Sequence, residues 1–223
     1  MAKKYLQLFI KAILAGFTIG LGGLVYLIVV AAGAPKILGA LLFAVGLFVV
    51  CTRGFALFTG KVCYLFENKP SYLLDLLIIW VGNLVGAMIL GGIVNLTEIG
   101  ASVKASEVAL SLASAKIYAS PVALFALGIL CNIFIFIAVD GYAKIPHQVG
   151  KYLAILFGVV CFIMAGTEHC IADQFYFCVS KVLYIKPLES LGTLGIITLG
   201  NAVGGVLFPL AEKGIKALAP KEK

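Results

Sequence analysis

Six long apolar runs dominate the sequence and leave it little choice of fold. The first begins after Lys11 and continues to about Ala34, and the third covers roughly Leu73 to Val94. Between them, the second starts at Ile37, is interrupted at Cys51-Thr52-Arg53-Gly54, and resumes as Phe55-Ala56-Leu57-Phe58-Thr59-Gly60. The fourth spans about Pro121 to Val139 and ends at Asp140-Gly141. The fifth starts near Tyr152, breaks at Ala165-Gly166-Thr167-Glu168-His169 and continues through Phe177, and the sixth spans about Leu191 to Leu210. A helix needs roughly 20 apolar residues to cross a bilayer, so six crossings with short loops consume nearly all of the 223 residues. The expectation is an all-α polytopic membrane protein: one transmembrane domain over residues 1–223, with the lipid bilayer as its solvent and no space for a soluble catalytic domain.

Composition agrees. The chain is 62% hydrophobic and 12% charged, with a mean hydropathy of +1.12, whereas soluble domains run near 45–50% apolar and about 25% charged. That excludes an ordinary globular protein, a disordered chain and a nucleic-acid binder. The net charge of +7 comes from lysines scattered between the apolar runs and at both ends, with Arg53 the single arginine. Such lysines report topology. With the N-terminus inside, the inner side carries Lys3, Lys4, Lys11, Lys61, Lys69, Lys144, Lys151, Lys213, Lys216, Lys221 and Lys223. The outer side carries Lys36, Lys104, Lys116, Lys181 and Lys186, so the balance is 11 to 5 with Arg53 left out inside its break. Positive residues favour the cytoplasmic side, which places both termini in the cytoplasm and the chain in the cytoplasmic (inner) membrane.

Ala32-Gly33-Ala34 resembles a signal-peptidase site, but the apolar core before it is longer than a signal's 7–15 residues, and five further spans follow; the segment reads as a retained span. Cys51, Cys63, Cys131, Cys161, Cys170 and Cys178 form no C-x-x-C pair and sit in or beside apolar runs. They read as small buried hydrophobes, giving neither a disulfide framework nor a metal site. No cofactor is expected.

An internal repeat adds more. Gly82-Asn83-Leu84-Val85-Gly86 in the third span recurs as Gly200-Asn201-Ala202-Val203-Gly204 in the sixth, and the two broken spans, second and fifth, are also three apart. A three-span unit used twice has opposite orientation in its two copies. This is the inverted-repeat pattern, in which interrupted helices at equivalent positions point to a midplane site. The repeats run over about 9–98 and about 116–216.

Backbone freed by a helix break must be buried in protein or line a cavity. One break carries Thr59 and the other His169. A hydroxyl donates or accepts a hydrogen bond; imidazole does so and titrates near neutrality. His169 is the histidine at membrane depth, whereas His147, after Pro146, belongs to an inner loop facing water. Ionisable residues inside a membrane usually mark a pathway. Of the neighbours Glu168 and His169, one faces the pore while the other bonds the freed backbone; Asp173, four residues on, is the expected partner of His169 if that half-helix is regular.

Together, Leu57-Phe58-Thr59, the two Gly-Asn-x-Val-Gly segments, Leu130-Cys131-Asn132 and Glu168-His169-Cys170-Ile171-Ala172 resemble the formate–nitrite transporter family, in order and over essentially the whole chain. The resemblance implies an aquaporin-like six-helix bundle, a homopentamer with one pore per protomer, and passage of small monovalent anions: formate, nitrite or hydrosulfide. It implies that Thr59 and His169 form the central polar pair. It assigns Leu47, Leu57 and Phe58 to a cytoplasmic constriction, and Phe43, Ile135 and Phe162 to a periplasmic one. Lys116, sixteen residues before Asn132, becomes the vestibule lysine that concentrates anions near the mouth, while Asn132 and Asn201 complete the polar lining. Between the constrictions His169 would bond or protonate the anion, so that protons accompany transport as a neutral acid crosses the apolar ring. One departure stands out: the family often reads His-x-x-Ala-Asn after the fifth-span break, where this chain has Asp173.

Two other classes compete. A membrane-embedded enzyme would use Glu168-His169 as acid–base machinery, but the sequence has no H-E-x-x-H, no G-x-S-x-G and no second membrane-depth histidine. A structural scaffold leaves two polar breaks at repeat-equivalent positions unexplained. The favoured reading is a channel or transporter for formate or a similar weak-acid anion, and not an enzyme.

Overall fold

The breaks, rather than the spans, organise the molecule. A computed structural model describes residues 2–218. Helix α1 covers Ala2–Ala31 and α2 covers Lys36–Arg53; after the first break come α3 (Phe58–Lys61) and a 3-10 turn over Val62–Glu67. Then follow α4 (Tyr72–Asn95), α5 (Glu98–Ala101), α6 (Val103–Ile117) and α7 (Pro121–Lys144). After α8 (Gln148–Met164) the second break leads into α9 (Cys170–Val179), α10 (Val182–Ile185) and α11 (Pro187–Leu218). Five of these, α1, α2, α4, α7 and α11, are each long and apolar enough to cross a membrane; the fifth span is the shorter pair α8 and α9.

Both breaks are made the same way. Helix α2 stops because Gly54 takes a left-handed conformation, φ 64°, and turns its N–H back to Val50 O. Helix α8 is followed by Gly166 at φ 66°, whose N–H bonds Ile163 O. A Cβ is costly at such φ, so glycine is the residue that permits the turn. The chain then runs extended through Leu57 (φ −99°, ψ 127°) and His169 (φ −110°, ψ 104°) before each short helix begins.

The fold is an aquaporin-like bundle built from an inverted repeat of three spans. Helix α1 packs chiefly on α4 and α2, as α7 does on α11 and α8, and each half-helix crosses into the other repeat: α9 lies against α4 and α1, and α3 against α7. The Gly-Asn-x-Val-Gly segments make the α1–α4 and α7–α11 contacts possible. A Cβ on Gly86 would sit 2.0 Å from Ile13 O, and one on Gly204 2.1 Å from Ile129 O. Backbones therefore touch where small residues allow it, as membrane helices do when lipid offers no hydrophobic drive for packing. Outward faces are apolar too: Leu77 on α4, Leu130 on α7 and Leu199 on α11 are all exposed, as lipid-facing positions should be.

Several boundaries differ from the hydropathy reading. Helix α1 starts at Ala2, ahead of Lys11, and α7 continues past Asp140-Gly141 to Lys144. Asp140 is tolerated in that last turn because Lys144 pairs with it at 2.9 Å, one turn on. The polar stretch after the third span is not a plain connection but holds α6, which packs on α9 and α1. Cysteines divide: Cys63, Cys131, Cys170 and Cys178 are buried, whereas Cys51 is half-buried and Cys161 exposed on the apolar face of α8, so the buried reading fails for Cys161; all six are free thiols. His147 is exposed and precedes α8.

A candidate anion pathway

Freed backbone at each break is held by the asparagine of the Gly-Asn-x-Val-Gly segment in the same repeat. Asn83 accepts from Phe58 N–H at 2.9 Å and donates to Ala12 O (2.8 Å) and Ala56 O (2.9 Å). Asn201 does the same at the other break, accepting from Cys170 N–H at 2.9 Å and donating to Gly128 O and Glu168 O, each at 2.8 Å. Each amide thus pins the first residue of a half-helix, the strand before it, and the neighbouring long helix. Both side chains are fully buried and line neither of the two cavities described below. The sequence marks Asn83 as the repeat equivalent of Asn201, and this shared role is what the repetition signals. Asn132 donates to Thr59 O (3.1 Å) and Asn201 O (2.7 Å), tying the two breaks together, while its Oδ1 is buried without a partner among the described residues.

At the centre, Thr59 Oγ1 and His169 Nε2 are 3.0 Å apart. The pairing of His169 decides its tautomer. Nδ1 accepts the backbone N–H of Ala172 at 3.1 Å, capping α9, so the ring proton sits on Nε2 and is donated to the threonine oxygen. Thr59 then keeps its own O–H as a donor. Both residues are buried, at 0% and 3% exposure. The half-helix of α9 begins at this point and directs the positive end of its dipole inward.

Cavities lie on both sides of the pair. One of about 310 Å³ is lined by Phe43, Phe162, His169, Lys116 and Asp173. The other, about 160 Å³, is lined by Leu57, Val50, Lys61 and Tyr64. Phe43 and Phe162 meet edge to face at 5.8 Å, and Phe162 stacks on the His169 ring at 5.4 Å. Leu47, Phe58 and Ile135 line neither cavity and are buried. Thus Phe43 and Phe162 line the cavity that holds Lys116 and His169, and Leu57 lines the other.

The charged residues are arranged otherwise than expected. Lys116 Nζ donates to Glu168 Oε2 and lies 3.4 Å from Asp173 Oδ1. Glu168 therefore does not bond the freed backbone with its side chain; Asn201 does that. Nor does Asp173 pair with the His169 ring. Position i+4 reaches position i only when both are helical, and His169 is the extended residue that caps α9. Lys116 is buried and spoken for by two carboxylates rather than standing free to attract anions. Asp173 Oδ2 is buried without a partner among the described residues. No cluster of three or more His, Cys, Asp or Glu suited to a metal ion occurs among them.

Comparison with known proteins follows the same arrangement. The formate/nitrite transporter family profile matches residues 1–211. The chain belongs to the formate/nitrite transporter family. It is 29% identical over 185 residues to the nitrite transporter NirC of Salmonella typhimurium, covering 78% of this chain and 68% of that one. It is 25% identical over 234 residues to the formate channel FocA of Haemophilus influenzae, covering 89% and 82%. Among solved structures it superposes on a pentameric formate channel with formate bound at a TM-score of 0.83, with 28% identity over 97% of this chain and 99% of that one. An FNT family ion channel gives 0.84 at 26% identity, covering 98% and 92%. Members of this family are channels and transporters, not enzymes, and this one is a multi-pass membrane protein.

Proposed function

We propose that this family member carries a small monovalent weak-acid anion, formate in the first place, along the line from the Lys116-side cavity past Thr59 and His169. The observation that carries the reading is the Thr59–His169 pair itself: two neutral donors, fixed by the helix cap on Nδ1, buried between apolar walls where two half-helices begin. A bare anion in such surroundings is disfavoured by several kcal/mol, and donors at a helix N-terminus reduce that cost. Lys116 and Asn132 act by holding the surrounding shell in place; Leu47, Leu57 and Phe58 form one constriction, and Phe43, Ile135 and Phe162 the other.

The proton step follows from the tautomer. His169 donates through Nε2: water entering the Lys116-side cavity delivers a proton to Nδ1, and the ring becomes imidazolium. Nε2 passes its proton to the anion, and the neutral ring then returns its remaining proton to Nε2 through water. Protonation at Nδ1 releases Ala172 N–H, and losing a helix cap costs about 0.5–2 kcal/mol. An arriving negative charge stabilises the imidazolium and offsets this. The neutral acid then crosses the apolar ring. Nitrite and hydrosulfide are the alternative substrates, since each is small, monovalent and protonatable. The protein works as a homopentamer in the cytoplasmic membrane with both termini in the cytoplasm and the Lys116-side cavity opening outward.

Purified protein in liposomes tests this. Formate should enter unchanged, and nitrite and hydrosulfide should compete with it according to preference. Vesicles that admit none of the three anions would reject the reading.

A further inference from the structure

The cavity on the Lys116 side holds a charge balance that leaves one residue responsible for attraction. Three charged side chains meet in its depth: Lys116 with Glu168 and Asp173. Lys116 is held by both carboxylates, so this group offers an anion no unengaged positive charge. One further cation lines the same cavity, Lys36, at the first turn of α2 on its rim. Lys36 is exposed and makes no ion pair among the described residues, whereas Lys116 is buried. Among the described residues Lys36 is therefore the cavity's one unengaged positive charge, and it stands at the mouth.

We propose that Lys36 is the residue that draws the anion into the pathway, and that Lys116 serves instead to hold Glu168 and Asp173 together beside His169. The inference rests on the anion-transport reading above. Physically, a charge at the mouth of a cavity with low-dielectric walls acts on encounter, because field lines are focused into the opening. Lys116 cannot supply that effect while its ammonium is engaged by two carboxylates.

The test compares formate uptake by the wild-type protein with Lys36→Gln and Lys36→Arg in liposomes. Uptake is measured below saturation, at ~10 mM and ~500 mM salt, between which the screening length falls from about 30 Å to only a few ångströms. Lys36→Gln should lose about two- to tenfold at low salt, a modest share of what focused fields can contribute, and should match wild type at high salt. Lys36→Arg should keep wild-type uptake. Equal uptake by Lys36→Gln and wild type at low salt would overturn the proposal, as would a loss of the same size at both salt levels, which marks a packing role. Wild-type vesicles that take up no anion would fail the underlying reading itself, a different result from normal wild-type uptake indifferent to Lys36.

Discussion

Replacing Asn201 by alanine should cost more than any other single amide in the molecule except its counterpart Asn83. Three hydrogen bonds leave with the side chain: from Cys170 N–H, and to Gly128 O and Glu168 O. Gly128 O lies within α7 and stays available to that helix's own ladder. Cys170 N–H and Glu168 O stand at the break, where no regular helix partner is in reach. An orphaned buried polar group costs about 1–3 kcal/mol, so two give roughly 2–6 kcal/mol by the same measure. A whole domain has about 5–15 kcal/mol of net stability, which makes this a large fraction. Asn201→Ala should therefore lower the thermal midpoint in detergent by ten degrees or on that order, since 1 kcal/mol is worth about 2–4 °C at this chain length. Fluorescence-detected size exclusion after heating reads the shift. Asn132→Ala, which leaves Thr59 O and Asn201 O without that donor, should lose less because both carbonyls sit in helices. A midpoint within about 2 °C of wild type for Asn201→Ala would refute the pinning role.

Other consequences are equally specific. Gly204→Ala places a Cβ 2.1 Å from Ile129 O; the α7–α11 contact must open, and yield of folded protein in a membrane extract should fall severalfold, whereas Gly214→Ala, with open space around it, should express normally. Thr59→Val removes the free hydroxyl donor while keeping the shape, and formate flux should drop by about tenfold, matching one lost charge-assisted hydrogen bond of about 1.5 kcal/mol. In a chain cleared of its own cysteines, a cysteine at position 104 should react with an impermeant reagent on intact cells and one at position 144 only after permeabilisation; the reverse pattern would invert the orientation. Native mass spectrometry in mild detergent should find five copies together, and a stable monomer or dimer would contradict the homopentamer.

Spans and breaks were legible in the sequence because both rest on short-range rules. Apolar length marks the crossings, and Gly54 and Gly166 mark where a helix must turn into a left-handed residue. The repeated Gly-Asn-x-Val-Gly segment disclosed the duplication, and the structure explains its chemistry: glycines admit the neighbouring backbone and the asparagine between them reaches through to the break. Hidden features were those that depend on distant partners. Lys116 and Glu168 are 52 residues apart, and no local pattern announces their pairing. The spacing of His169 and Asp173 misled because it assumed a helix where the first residue is an extended cap. Helix α6 escaped notice because its Ser, Ala and charged residues carry no apolar run; it is held by contact with α9 and α1 instead. The meeting of Lys116 with Glu168 and Asp173 is thus a tertiary fact.

Formate entry and internal pH followed together in vesicles containing wild-type protein or His169→Asn test the central pair most directly. Asparagine keeps a hydrogen-bond donor near Thr59 but cannot take up a proton. Wild-type vesicles should acidify as formate enters. His169→Asn should still assemble, admit formate more slowly or as the bare anion, and lose the accompanying acidification. If His169→Asn admits formate at the wild-type rate with the same acidification, the proton does not travel through His169 and the histidine serves only to cap α9.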